Sequence, residues 1–144
     1  MRVIILNGSP KAHGNTATAL HEVECTLQQQ GIETEWIHVG HLQIHGCIAC
    51  NKCWTTGVCA FGDIVNEISE KMLEADGLLI GSPVYFASPS GTDPGEVVHD
   101  EEGMQTMRQL GLNMAFMMKS IRLGLQQFGS PRIQEELTET HYIR

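Results

Sequence analysis

Four of the chain's five cysteines, Cys47, Cys50, Cys53 and Cys59, fall within the stretch GCIACNKCWTTGVC. Thiolates this close together suit three kinds of chemistry: ligation of a metal or cluster, thiol–disulfide exchange, or simple packing of small apolar side chains. The spacing C-x2-C-x2-C-x5-C departs from the paired C-x2-C knuckles of structural zinc sites. It is nearer the compact runs that hold [4Fe–4S] clusters, where neighbouring cysteines wrap one face of the cuboid. Three uses therefore stay open: a cluster, plain thiols, or a disulfide-forming or zinc-binding loop. His38, His41 and His45 lie nearby and are read as solvated residues at a strand end rather than as further ligands. Cys25, alone in a helical stretch, is read as a buried small residue.

A second group of residues suits an anion. The segment GSPKAHGNT carries hydroxyls on Ser9 and Thr16, the amide of Asn15 and the cation of Lys11. It stands where a helix begins and backbone N–H groups lack intrahelical partners. It is neither G-x-G-x-x-G nor a Walker A loop. The competing reading is a turn followed by a helix cap on Asn15 or Thr16. A third stretch, GSPVYFASPSG, offers Pro83, Val84, Tyr85 and Phe86 as a surface for a flat heterocycle.

The elements that must position these groups follow from apolar patterning. Val3 to Leu6 is a short β-branched run that reads as a strand buried on both faces. Leu20, Val23 and Leu27 recur at helical spacing between Thr16 and about Gln30, before Gly31, and predict an amphipathic helix. Thr34 to Val39 alternates as a second strand. The cysteine loop occupies residues 42–62, then Ile64, Ile68, Met72 and Leu73 mark another helix leading into a third buried strand, GLLIGSP. The order β-α-β-α-β implies parallel strands joined by right-handed crossovers in a doubly wound α/β domain. Met104, Met107, Gly111, Met114, Met118, Ile121 and Leu125 then predict a long helix packed on the sheet. The polar tail after it reads as loosely held.

Length and charge bound the function. At 144 residues with 42% hydrophobic content, the chain is one domain, 1–144. A net charge of −8 gives no general attraction to nucleic acid or to an anionic membrane surface. No stretch approaches the apolar length of a signal-peptide core or a bilayer span, so the expected location is cytoplasmic, where reducing conditions disfavour structural disulfides.

Together, GSPKAHGNT, GSPVYFASPSG, the intervening cysteine loop, Asp63 and PGEVVHDEEGMQTMRQLGLNMA resemble the NADPH-dependent FMN reductase family of flavodoxin-like proteins. The branch most similar is that of the iron–sulfur flavoproteins and multimeric flavodoxins. The resemblance implies FMN phosphate on Ser9, Lys11, Asn15 and Thr16, and the isoalloxazine against Pro83, Val84, Tyr85 and Phe86. It implies NAD(P)H as hydride donor, a quinone or other small acceptor, and a [4Fe–4S] cluster on Cys47, Cys50, Cys53 and Cys59 as a relay. It also implies a homodimer or homotetramer. A non-enzymatic electron carrier for protein partners is the alternative reading. One departure from the family pattern falls near residues 91–94, where a helix and two strands of a five-stranded sheet are missing. The expected sheet thus has three strands in the order 2-1-3, with the third strand as an open edge that invites pairing. The chain is accordingly expected not to behave as a monomer.

Overall fold

A computed structural model describes residues 1–84 and 95–130. Strand β1 spans Arg2–Asn7, helix α1 Asn15–Gln29, strand β2 Glu33–His38, the single-turn helix α2 Cys53–Thr56, helix α3 Ile64–Glu74 and strand β3 Gly77–Gly81. A 3-10 turn at Glu96–His99 leads into the long helix α4, Glu101–Phe128. The three strands are parallel in the order β2-β1-β3, with Ile5 opposite both Trp36 and Leu79. This is the expected 2-1-3 arrangement of a flavodoxin-like α/β fold. The junction near 91–94 and the tail after residue 130 lie outside the described residues.

Burial explains the centre of the sheet. Val3, Ile4 and Ile5 of β1 are fully buried, as expected of a strand covered on both faces. Right-handed crossovers place α1 and α3 on opposite faces, because the chain moves outward from β1 to β2 and then back past β1 to β3. Val3, Ile5 and Leu79 join Leu20, Val23 and Leu27 of α1 and Ala115 and Met118 of α4 in one apolar cluster. Cys25 is exposed, contrary to expectation, because it points away from the stripe that Leu20, Val23 and Leu27 form on α1.

Helix α4 packs against α1 at close range. A Cβ on Gly111 would stand 2.7 Å from Cβ of Thr26, so glycine there sets the approach of the two helices. Helix α4 has 28 residues against 15 for α1, roughly 42 Å against 22 Å at 1.5 Å per residue. Lys119 Nζ donates to Gln30 Oε1 at 3.2 Å, where α1 ends. The predicted core stripe holds at Met104, Gly111 and Met118, but beyond Lys119 the side chains of Ile121 and Leu125 are exposed. There the helix has outrun its support.

The third strand also differs from expectation. Only Leu79 is buried, whereas Leu78 and Ile80, on the opposite face, are 36% and 62% exposed. The run is apolar on both faces, but among the described residues only the α1/α4 face is covered at this edge.

Candidate functional site

Two loops leave the carboxyl ends of β1 and β2, the edge at which open parallel sheets bind ligands. The β1–α1 loop is built from the strand end outward. Asn7 is buried, and its Oδ1 accepts the N–H of Ser9 at 3.0 Å. The carbonyl of Asn7 accepts N–H groups from Val39 at 2.9 Å and Gly40 at 3.2 Å. His38 donates from Nε2 to the carbonyl of Ser9 at 2.7 Å; a carbonyl only accepts, so that nitrogen carries the proton. A Cβ on Gly40 would fall 2.1 Å from the same carbonyl oxygen, so the chain after β2 approaches the loop as only glycine allows.

The other side of the loop is held by β3. Gly8 N–H donates to the carbonyl of Gly81 at 2.8 Å, which sets the two Gly-Ser-Pro segments side by side. Ser9 is buried, and its hydroxyl accepts the N–H of Lys11 at 3.2 Å, a bond that does not use the hydroxyl proton. Helix α1 opens on Gly14 with extended backbone, no side-chain cap and no acidic residue in its first turn. The expected cap on Asn15 or Thr16 is therefore absent: both are already helical. Asn15 Oδ1 instead accepts the N–H of Gly95 at 2.9 Å, tying the helix start to the segment before the 3-10 turn. Lys11 is exposed beside this start and Thr16 is half-buried. The start of α1 thus has no side-chain cap and no acidic residue in its first turn, with Lys11 exposed just before it, and such a helix N-terminus suits an anion.

After β3, Pro83 is half-buried and Val84 exposed. Tyr85 and Phe86 lie outside the described residues. Of the residues that clamp the loop, His38 is read from the sequence as a solvated strand-end residue, whereas it is half-buried and bonded to Ser9 because the β1–α1 loop folds over the end of β2; Asn7, Gly40 and Gly81 carry no motif signal. The only local signal for them is position, since each stands at or just beyond the end of a predicted strand.

The cysteine loop is built differently. Cys47, Cys50 and Cys53 are exposed and Cys59 half-buried. Ala49 and Asn51 sit at φ 54° and 59°, the left-handed region that L residues adopt sparingly. Ala49 N–H donates to Cys47 Sγ at 3.4 Å, and Cys53 begins α2. At its far end, Cys59 N–H donates to Asn66 Oδ1 at 2.6 Å and Asn66 Nδ2 returns a bond to the Cys59 carbonyl at 3.2 Å. Asp63 caps α3 through Val65 N–H at 3.1 Å and accepts His45 N–H at 3.1 Å. The His45 N–H, then the cap, hold its carboxyl below the ordinary aspartate value. Among the described residues no three His, Cys, Asp or Glu side chains gather as metal ligands. The four thiols as arranged therefore do not form a cluster cage. His41 lies against His38 with the rings tilted and their centroids 4.4 Å apart, and His45 stacks over Phe61 at 4.5 Å.

A 2-1-3 parallel sheet with helices packed on it defines a flavodoxin-like α/β domain. Residues 1–92 match the NADPH-dependent FMN reductase family, and the chain belongs to it. An iron–sulfur flavoprotein of Methanocaldococcus jannaschii is 44% identical over 90 residues, 62% of this chain and 47% of that protein. An iron–sulfur flavoprotein of Archaeoglobus fulgidus is 35% identical over 91 residues, 63% of this chain and 44% of that protein. The chain thus spans about half the length of the curated relatives it matches. No solved structure matches it. Among the described residues no helix is long and apolar enough to cross a membrane.

Proposed function

We propose that the chain is the flavin-binding part of an FMN-dependent oxidoreductase, with NAD(P)H as donor and a quinone or other small molecule as acceptor. The observation that carries this reading is the β1–α1 loop, in which β2 and β3 both hold the backbone of Gly8 and Ser9 ahead of the side-chain-uncapped start of α1. In this reading Ser9, Lys11, Asn15 and Thr16 bind the phosphate, and the family match over residues 1–92 makes FMN the group concerned. A donor set fixed in advance spends little ordering entropy on binding. Pro83, Val84, Tyr85 and Phe86 would line the isoalloxazine. Bound flavin supplies hydride and single-electron chemistry of its own. The protein's share is then to orient the ring and exclude water, and no separate acid–base residue is required.

The cysteine spacing and the names of the relatives support a [4Fe–4S] cluster on Cys47, Cys50, Cys53 and Cys59. To hold it, the exposed Cys47, Cys50 and Cys53 would have to converge with the half-buried Cys59. The acting form is taken as a cytoplasmic homodimer or homotetramer. The test is the absorption spectrum of protein purified without oxygen, before and after NADPH. Two flavin bands that bleach with NADPH are expected. Protein that stays colourless when supplied with FMN would refute the reading.

A further inference from the structure

The two edges of the sheet are not equivalent. β2 carries Glu33 and Glu35, and Glu35 pairs with Lys71 of α3 and with Arg2. Charged side chains of this kind blunt an edge against pairing. β3, GLLIG, has no charge and no proline, and among the described residues its outer edge has no strand partner. Above it, α4 reaches the sheet through Met114, whose Cε would lie 2.8 Å from a Cβ on Gly77. At 100° per residue, Leu110, Met117, Ile121 and Phe128 fall on the same flank of α4 as Met114. All four are exposed, and no charged residue interrupts them.

Charge selects the occupant. On a chain of net charge −8, residues 103–128 contain no Asp or Glu. Two of the three cations there are engaged with α1, Arg108 with Glu22 and Lys119 with Gln30. Pairing through β3 and this flank of α4 sets no Asp or Glu of either element's apolar run against its copy, which a chain of this net charge favours. We propose that a second copy of this chain pairs with the first through β3, edge to edge and antiparallel about a two-fold axis normal to the sheet. The result is one six-stranded sheet, 2-1-3-3-1-2. That axis keeps α4 of both copies on the same face, so the Leu110, Met117 and Ile121 flanks meet across it. With the axis beside Leu79, Leu78 of one protomer stands opposite Ile80 of its partner, and each covers apolar surface the other leaves bare. This deepens the homo-oligomer reading above and is independent of the flavin chemistry.

The test is the mass of the full 144-residue chain by light scattering over a dilution series, for wild type, Ile80→Lys, Met117→Lys and the β2-edge control Thr34→Lys. Wild type and Thr34→Lys are expected near twice 15.9 kDa, and Ile80→Lys and Met117→Lys near 15.9 kDa with unchanged far-UV circular dichroism. If Ile80→Lys does not fold, Met117→Lys and hydrogen exchange of wild type carry the test. The Gly77–Gly81 amides should lose protection when wild type is diluted to monomer. Wild type that is monomeric at every concentration would overturn both this interface and the homo-oligomer reading. A dimer that survives Met117→Lys, with Gly77–Gly81 exchange independent of dilution, would overturn the interface alone.

Discussion

Seven residues separate β1 from α1, and 25 separate β2 from α3, yet both loops leave the same edge of one sheet. The short loop is held by bonds from Asn7, His38 and Gly81 that cross between elements, and it contains buried Ser9. The long loop is shaped mainly by its own local bonds and is anchored at its ends by Asp63 and Asn66. A loop fixed by long-range backbone bonds presents preformed donors to a ligand. A loop of exposed residues depends more on whatever its thiols bind, because ligand binding can itself supply folding energy.

The sharpest way to break the contrast is Gly40→Ala. Its Cβ would sit 2.1 Å from a backbone oxygen, and backbone cannot yield cheaply. We expect a loss of about 3 kcal/mol in stability, as for overpacking at a rigid site, together with loss of FMN retention, read by urea unfolding and flavin titration. Asn7→Ala removes the buried acceptor of the Ser9 N–H and should cost about 1–3 kcal/mol, measured in the same unfolding experiment. Ser9→Ala should leave stability nearly unchanged but weaken FMN roughly tenfold, the equivalent of one charge-assisted hydrogen bond; equal affinity in a titration would remove Ser9 from the phosphate site.

On the long loop, effects should be smaller. Asp63→Ala removes the cap of α3 and the bond from His45, lowering Tm by a few degrees near neutral pH. The carboxyl is held below its ordinary value of 3.8. Its contribution is therefore complete above that pH and disappears as pH falls through the lowered folded-state value. Melting curves of wild type and Asp63→Ala should converge in acid and separate above pH 4 or so. Cys50→Ser, at an exposed position, should leave Tm of the iron-free protein within about 1 °C, since surface substitutions away from special features change little. Iron and sulfide analysis of anaerobically purified protein should show loss of iron in that variant. Iron retained at the wild-type level would exclude Cys50 as a ligand.

Much of the fold could be read from local pattern. The β-branched run of β1, the Leu20–Val23–Leu27 stripe and the stop before Gly31 each gave their element, because period and burial agree in the centre of the sheet. Cys25, expected to be buried, is exposed, and the same stripe already places it on the outer face of α1. Ile121 and Leu125 continue the predicted stripe yet are exposed, since periodicity marks a face and cannot say where the neighbouring helix ends. In the site, Ser9, Lys11 and Thr16 were legible as types suited to an anion at a helix start. Their clamp was not, because Gly40 and Gly81 meet the loop across long sequence separations.

The sequence by itself determined the parallel α/β order, the location of the anion-suited loop and the cysteine spacing, all of which depend on residues close together in the chain. Tertiary structure decided that His38 of β2 and Gly40 just beyond it converge on Ser9 while Gly81 of β3 holds Gly8. It also decided that one sheet edge is guarded by paired charges while the other, among the described residues, is uncovered and apolar. Such outcomes depend on which strands become neighbours and which faces find cover, and only the folded topology sets these.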